Sequence, residues 1–213
     1  MRKPIGYLVL LALAVAPLAA APQHSRLFRP DQLGTLEGPD RDAWQRPDQI
    51  MDTLLIAEGS VVADLGAGGG WFTMRLANRV GPNGTVYAED VQSQMIDAIS
   101  RRIARAGVTN VKTVLGTASD PGLPARLDAV LIVDAYHEMA QPVAMLGNVG
   151  KALKPNGRIG IVEFNKDGLG PGPPMDERVD AEQVIGDAEA AGLKLVSREN
   201  FSRYQYMLVF TRR

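Results

Sequence analysis

The sequence predicts an α/β protein with a doubly wound, mostly parallel sheet of seven strands and an antiparallel last strand. Three observations carry this. From about residue 47 onward, short apolar runs alternate with stretches whose apolar residues recur at helical spacing. The first run, "VVAD" (Val61–Asp64), passes directly into "LGAGGG", where four of the five residues from Gly66 to Gly70 are glycine. The last two strand-like runs, Leu193–Ser197 and Tyr204–Phe210, have too little chain between them for a right-handed crossover, so they should pair antiparallel.

The elements follow in order. Pro47–Leu55 reads as a short helix, with Ile50, Met51, Leu54 and Leu55 at helical spacing. Val61–Asp64 is a buried strand. Trp71–Val80 is a helix with Phe72, Leu76 and Val80 on one face, and Gly81 is placed to stop it. The turn "GPNG" leads to a strand at Thr85–Glu89. A helix at Ser93–Ala106 turns Met95, Ile96, Ile99 and Ile103 inward and ends at Gly107. Val111–Leu115 and "AVLIV" (Ala129–Val133) are strands joined by a loop. Pro142–Leu153 is a helix closed by "KPNG", and Arg158–Phe164 is the fifth strand. Nearly continuous apolar strands of this kind belong to a parallel sheet covered on both faces. A final helix spans Ala181–Ala191, before the closing pair of strands.

Composition narrows the function. The 213 residues are 46% hydrophobic and 22% charged, with a net charge of −1, which is not the basic footprint of a nucleic-acid binder. With no cysteine there is no thiolate metal site or cysteine nucleophile. Two histidines, His24 and His137, make a histidine-based metal cluster unexpected. The opening "MRKPIGYLVLLALAVAPLAAA" has a basic start, an apolar middle and a small-residue end, the layout of a secretory signal. The expected organisation is a cleaved signal at 1–21, an N-terminal arm at 22–46 and one domain at 47–213. A retained membrane anchor is the alternative. In either case the domain is expected outside the cytoplasm, periplasmic or extracellular.

In an open parallel sheet, ligands bind beyond the carboxyl ends of the strands, and Gly66–Gly70 sits at that edge. Glycines there let the backbone approach a ligand, and the following helix start offers free N–H groups. The dinucleotide pattern G-x-G-x-x-G is not met. Counted from Gly66 the third glycine falls at Trp71, and from Gly68 it falls at Thr73. The pattern present is D-x-G-x-G-x-G, formed by Asp64, Gly66, Gly68 and Gly70.

That pattern resembles the first motif of the class I S-adenosylmethionine-dependent methyltransferases. The family's other marks follow in order: "VYAED" ending the second strand, "VLIVDAYHEM" with Asp134 at the end of the fourth, "LKPNGRIGIVEF" at the fifth and "YQYMLVFTRR" at the seventh. The likeness covers about Trp44 to the C-terminus. It implies the Rossmann-like fold of that family, S-adenosylmethionine as cofactor, and in-line methyl transfer to a nucleophile. It also implies cofactor contacts from Asp64, Gly66, Gly68, Gly70, Asp90 and Asp134. Asp90 matches the position that holds the ribose hydroxyls, with Glu89 beside it as a rival. Where many members carry an acid near the adenine, this chain has Thr117, with Asp120 three residues on; both are candidates, and Asp120 is taken as the cofactor-binding one.

His137 is the one imidazole near the expected catalytic edge, so it is the candidate general base. No metal is expected. Without a cysteine, methylation of a pyrimidine carbon or of arsenite by the family's known routes is excluded. "DAYH" replaces the Asn/Asp-Pro-Pro-aromatic motif of the amino-methylating nucleic-acid enzymes. A small-molecule acceptor is left as the expected partner, with no nucleic acid and no lasting membrane association once the signal is removed. A non-catalytic exported protein that binds the same cofactor is the second reading, and an NAD-linked oxidoreductase the third. Trp44, in "RDAWQRP", is either a lid over the cofactor or an anchor for the arm, and "DGLGPGPP" after the fifth strand suits a substrate loop.

Overall fold

A computed structural model describes residues 27–200 and 202–213; the expected signal at 1–21 lies outside the described residues. Seven strands form one sheet in the order β3-β2-β1-β4-β5-β7-β6. They are β1 (Val61–Leu65), β2 (Thr85–Asp90), β3 (Val111–Leu115), β4 (Leu127–Val133), β5 (Leu153–Phe164), β6 (Leu193–Glu199) and β7 (Gln205–Arg212). All pairings from β3 across to β5 are parallel, whereas β7 lies antiparallel to both β5 and β6. The strand order reverses between β1 and β4, which makes that gap the switch point where such sheets bind ligands.

The helices are α1 (Arg41–Gln45), α2 (Pro47–Thr53), α3 (Trp71–Val80), α4 (Ser93–Ala106), α5 (Pro142–Ala152) and α6 (Ala181–Ala190). Two apolar layers result because successive strand residues face opposite ways. Val62, Val86, Leu131 and Val162 pack with Ile50, Leu76 and Ile99 of α2, α3 and α4. On the other face Ala63, Ile132 and Ile161 pack with Met145, Val149 and Val184 of α5 and α6.

Several boundaries differ from the sequence reading, and two of the differences matter most. The "KPNG" expected to close a helix lies within β5, which starts at Leu153. Leu153 pairs with Leu127, while Arg158 pairs with Ala129, so residues 154–157 form an irregularity in the ladder. Gly157 lets this bulge lie flat, since a Cβ there would stand 2.8 Å from the Leu127 carbonyl oxygen. The arm is also more regular than the sequence suggests. It contains a 3-10 segment, Pro30–Leu36, before α1. No helix among the described residues is long and apolar enough to cross a membrane.

Candidate functional site

β1 and β4 are hydrogen-bonded neighbours with Asp64 opposite Leu131 and Leu65 opposite Ile132, so their exits lie side by side. The two loops touch: a Cβ on Gly66 would come 2.5 Å from the Ala135 Cβ, and Gly66 has φ of +70°. Glycine is required there by both space and conformation. Between these exits and that of β2 lies a cavity of about 830 Å³. Gly66, Gly68, Glu89, Asp90, Thr117, Asp134 and His137 line it, and residues of the arm and of the loop after β5, including Phe28, Arg41 and Pro173, close it over.

Asp90 and Gly68 are joined directly. The Gly68 amide donates to Asp90 Oδ2 at 3.0 Å, and the Gln92 amide donates to Oδ1 at 2.9 Å. Glu89 is buried deeper, with Oε2 accepting from the Gly66 amide at 3.3 Å and Oε1 unpartnered among the described residues. Burial raises Asp90, against the pull of those amides, and pushes Glu89 up to about 8.

Not every residue of the expected set reaches the cavity. Asp64 faces α3, where its Oδ2 accepts from Thr73 Oγ1 at 2.6 Å, and burial raises it to about 6. Its place is to fix the start of α3 beneath the glycine loop. Gly70 is the N-cap of α3 at φ +79°, and a Cβ there would point at Ile99 and Arg102 of α4. Asp120 is exposed outside the cavity wall. It closes the turn after β3, where its Oδ1 accepts from the Gly122 amide and its carbonyl from Thr117. Thr117 and Ala118 stand at the wall instead.

The loop after β4 carries the strongest electrostatic coupling. Asp134 holds φ of +54°, a strained conformation for a residue with a side chain, and its amide donates to the Val162 carbonyl at 2.8 Å. Its Oδ1 is buried, has no hydrogen-bond partner among the described residues, and lies 3.9 Å from His137 Nδ1. Glu163, on β5, is fully buried. Its Oε1 accepts from the amides of Tyr136 and His137 at 2.7 and 3.3 Å, and its Oε2 lies 3.0 Å from His137 Nδ1. Burial alone would lower the His137 pKa. The hydrogen bond and charge of Glu163, with Asp134 and Glu138, overcome this and push the imidazole up to about 9. Burial and the Glu163 charge push Asp134 up to about 7. Asp134, His137 and Glu163 also bring ligand-type atoms within 4.8 Å of one another. Glu163 is already bonded on both oxygens, so the set reads as a carboxylate holding an imidazole.

Glu163 was not singled out in the sequence. The one available signal is an acid inside "GIVEF", an otherwise apolar strand end, because a fully buried carboxylate needs partners. The arm is the other element the sequence left open. The Phe28 amide donates to Glu138 Oε2 at 2.7 Å, and Gln92 Nε2 donates to the Phe28 carbonyl at 3.0 Å, so Phe28 bridges the β4 and β2 loops. Arg102 ties the arm to the glycine loop through Glu37 Oε2 and the Gly69 carbonyl. Trp44 packs against Phe164 and Tyr204, with ring centroids 5.8 and 6.1 Å away. It anchors the arm to the sheet and is not part of the cavity wall.

Comparisons with known proteins agree with this arrangement. A family model described as a methyltransferase domain matches residues 62–157. A SAM-dependent methyltransferase structure from Aquifex aeolicus superposes with a TM-score of 0.81 at 26% identity, covering 86% of this chain and 98% of that one. In fold and over the matched domain the chain is similar to the class I S-adenosylmethionine-dependent methyltransferases. An uncharacterized methyltransferase of Mycobacterium bovis is 35% identical over 122 residues, 57% of this chain and 46% of its own. Nocamycin O-methyltransferase of Saccharothrix syringae is 31% identical over 131 residues, 61% of this chain and 44% of its own. The chain thus spans about half the length of the curated relatives it matches.

S-adenosylmethionine is the cofactor of this family, and the cavity fits it. The cofactor carries a sulfonium and an ammonium against a single carboxylate. Glu89, Asp90, Asp134, Glu138 and Glu177 share the wall with Arg29, Arg41 and His137, so groups of both signs face these charges. Two of these acids present buried oxygens with no hydrogen-bond partner among the described residues, on Glu89 and Asp134.

Proposed function

We propose that this chain is an exported methyltransferase that methylates a hydroxyl of a small molecule, with His137 as general base and Glu163 as the residue that holds it. The observation that carries the reading is the His137 ring, set in the cavity wall with Nδ1 bound to a buried carboxylate beside the Gly66 loop. The cofactor supplies a methyl group already activated on sulfur, so the protein's task is to position, exclude water and take one proton.

Glu163 directs Nδ1–H inward, which leaves Nε2 of the same ring as the site that accepts the acceptor's proton. Asp90 and the Gly68 amide form the rigid pair at the cofactor's sugar position that the family motif implies. Phe28 and the Gly172–Pro174 segment close the cavity above, limiting water. An oxygen acceptor is supported by the likeness to an O-methyltransferase and by an imidazole in reach. Export rests on the leader-like first 21 residues.

The test is a methyl-transfer assay of purified protein against a panel of phenols, enols and amines with labelled S-adenosylmethionine. Transfer to oxygen that falls about 10²-fold or more in His137→Ala, with cofactor affinity kept, supports the reading. Cofactor binding without transfer to any acceptor points to a binding protein, and binding of NADH in its place to an oxidoreductase.

A further inference from the structure

The sheet order divides the cavity into two parts. Asp90 and Gly68 lie at the β2 and β1 exits, so the part on the β5 side of His137 is left for the acceptor. Phe28, Met139, Pro173 and Pro174 build the wall there, with Glu138 and Glu177 as its acids.

Among the described residues, every cation near this part is already committed. Arg178, next to Glu177 in the chain, is 4% exposed and is bonded to its own loop. Its Nε donates to the Pro173 carbonyl at 3.0 Å, and its Nη1 donates to the carbonyls of Asn165 and Leu169 at 2.8 and 3.2 Å. An arginine spent on three carbonyls of one loop fixes the shape of that loop and offers little to a ligand. Arg29 gives its Nε and Nη2 to Asp31 at 3.1 and 2.7 Å. Arg41 stays over the Trp71 ring, on the glycine-loop side, where the charges of Asp134 and Asp64 offset its own. The His137 ring is met by Glu163 at 3.0 Å.

An anionic group brought to this wall would leave water, meet two carboxylates and find no free cation, which is the costly case. An apolar group would instead find Phe28, Met139 and the two prolines. The rim continues this chemistry. Leu27, which also lines the cavity, is 47% exposed, and Met175, directly after Pro174, is 45% exposed.

Resting on the reading of His137 as the base of an oxygen methyltransferase, we propose that the acceptor is an uncharged hydroxy compound carrying an apolar substituent. The hydroxyl meets His137 Nε2, and the substituent lies between Phe28 and the Pro173–Pro174 wall, pointing to Leu27 and Met175. The acceptor oxygen bonds to the methyl carbon, the carbon–sulfur bond breaks, and the hydroxyl proton passes to Nε2. The products are a methyl ether, S-adenosylhomocysteine and an imidazolium.

Three phenols with like hydroxyls test this: p-propylphenol, p-hydroxyphenylpropionate and tyramine, whose substituents are neutral, anionic and cationic. Calorimetry on the protein loaded with S-adenosylhomocysteine reads binding, and labelled S-adenosylmethionine reads transfer. p-Propylphenol should bind and react best, with affinity about 10-fold or more above p-hydroxyphenylpropionate, the scale of one buried group left unpaired. Phenol itself should bind more weakly than p-propylphenol, by about 4-fold for each methylene buried. Glu177→Lys should narrow the gap by strengthening p-hydroxyphenylpropionate. Equal binding of the three probes, a preference for either charged one, or no binding of p-propylphenol would overturn the acceptor class, while retained S-adenosylhomocysteine binding would keep the cofactor reading. A gap unchanged in Glu177→Lys would also count against the class. Protein that binds neither S-adenosylhomocysteine nor any phenol would overturn the cofactor reading and this class with it.

Discussion

His137 Nδ1 and Glu163 Oε2 lie 3.0 Å apart, one on the loop leaving β4 and the other near the end of β5. Parallel pairing of these strands, with Val133 opposite Val162, brings the two residues to the same edge. The buried carboxylate orients the ring and raises its affinity for a proton.

The first expected outcome concerns pH. The groups facing the His137 ring are Glu163 on β5 and Asp134 and Glu138 on its own loop, and they hold it near 9 against an ordinary value of 6.5. A raised imidazole stabilises the fold fully below its unfolded value and loses that contribution as pH rises through its folded value. Stability owed to this group therefore falls between about pH 6.5 and 9. General-base activity runs oppositely and should rise over the same window, with cationic cofactor in the cavity moving the midpoint down. In Glu163→Gln the rising limb should shift to lower pH while kcat falls. A pH–rate profile that does not move in this variant would contradict the role given to Glu163.

A second expectation is that Asp90→Ala weakens S-adenosylhomocysteine binding by about 1–3 kcal/mol, the cost of unsatisfied polar partners. The Gly68 and Gln92 amides lose their acceptor in this variant. Calorimetry beside a thermal melt separates lost affinity from lost folding, and unchanged affinity would misplace the cofactor's sugar.

Gly66 and Gly68 should respond differently to alanine. At Gly66 the new methyl meets Ala135 at 2.5 Å, on top of φ +70°, so the junction of the two loops must part and the melting temperature should drop. At Gly68 the nearest atom to a Cβ is 3.9 Å away, at the Leu33 side chain of the arm. Gly68→Ala should thus retain more stability than Gly66→Ala and show its main effect on ligand binding. Equal melting temperatures would argue against the packing of the β1 and β4 exits.

The leader-like segment predicts a mature chain beginning near residues 20–23 and recovered outside the cytoplasm. N-terminal sequencing of protein from fractionated cells decides this, and an intact Met1 in the soluble cytoplasmic fraction would refute export.

By itself the sequence determined the alternation of strands and helices, the antiparallel closing pair, and the edge at which Gly66, Asp90, Asp134 and His137 gather. These follow from local periodicity and from the rule that parallel strands share one carboxyl edge, both of which are written in residue order. Tertiary structure alone decided which of those residues turn into the cavity. Asp64 differs from Asp90 because its side chain falls on the α3 face, where Thr73 holds it, and Asp120 is drawn into its own turn. Glu163 gains its significance from His137, 26 residues away along the chain. Motif spacing cannot reveal such pairs, because a charge buried by one element is balanced by partners that only the packing of other elements brings near.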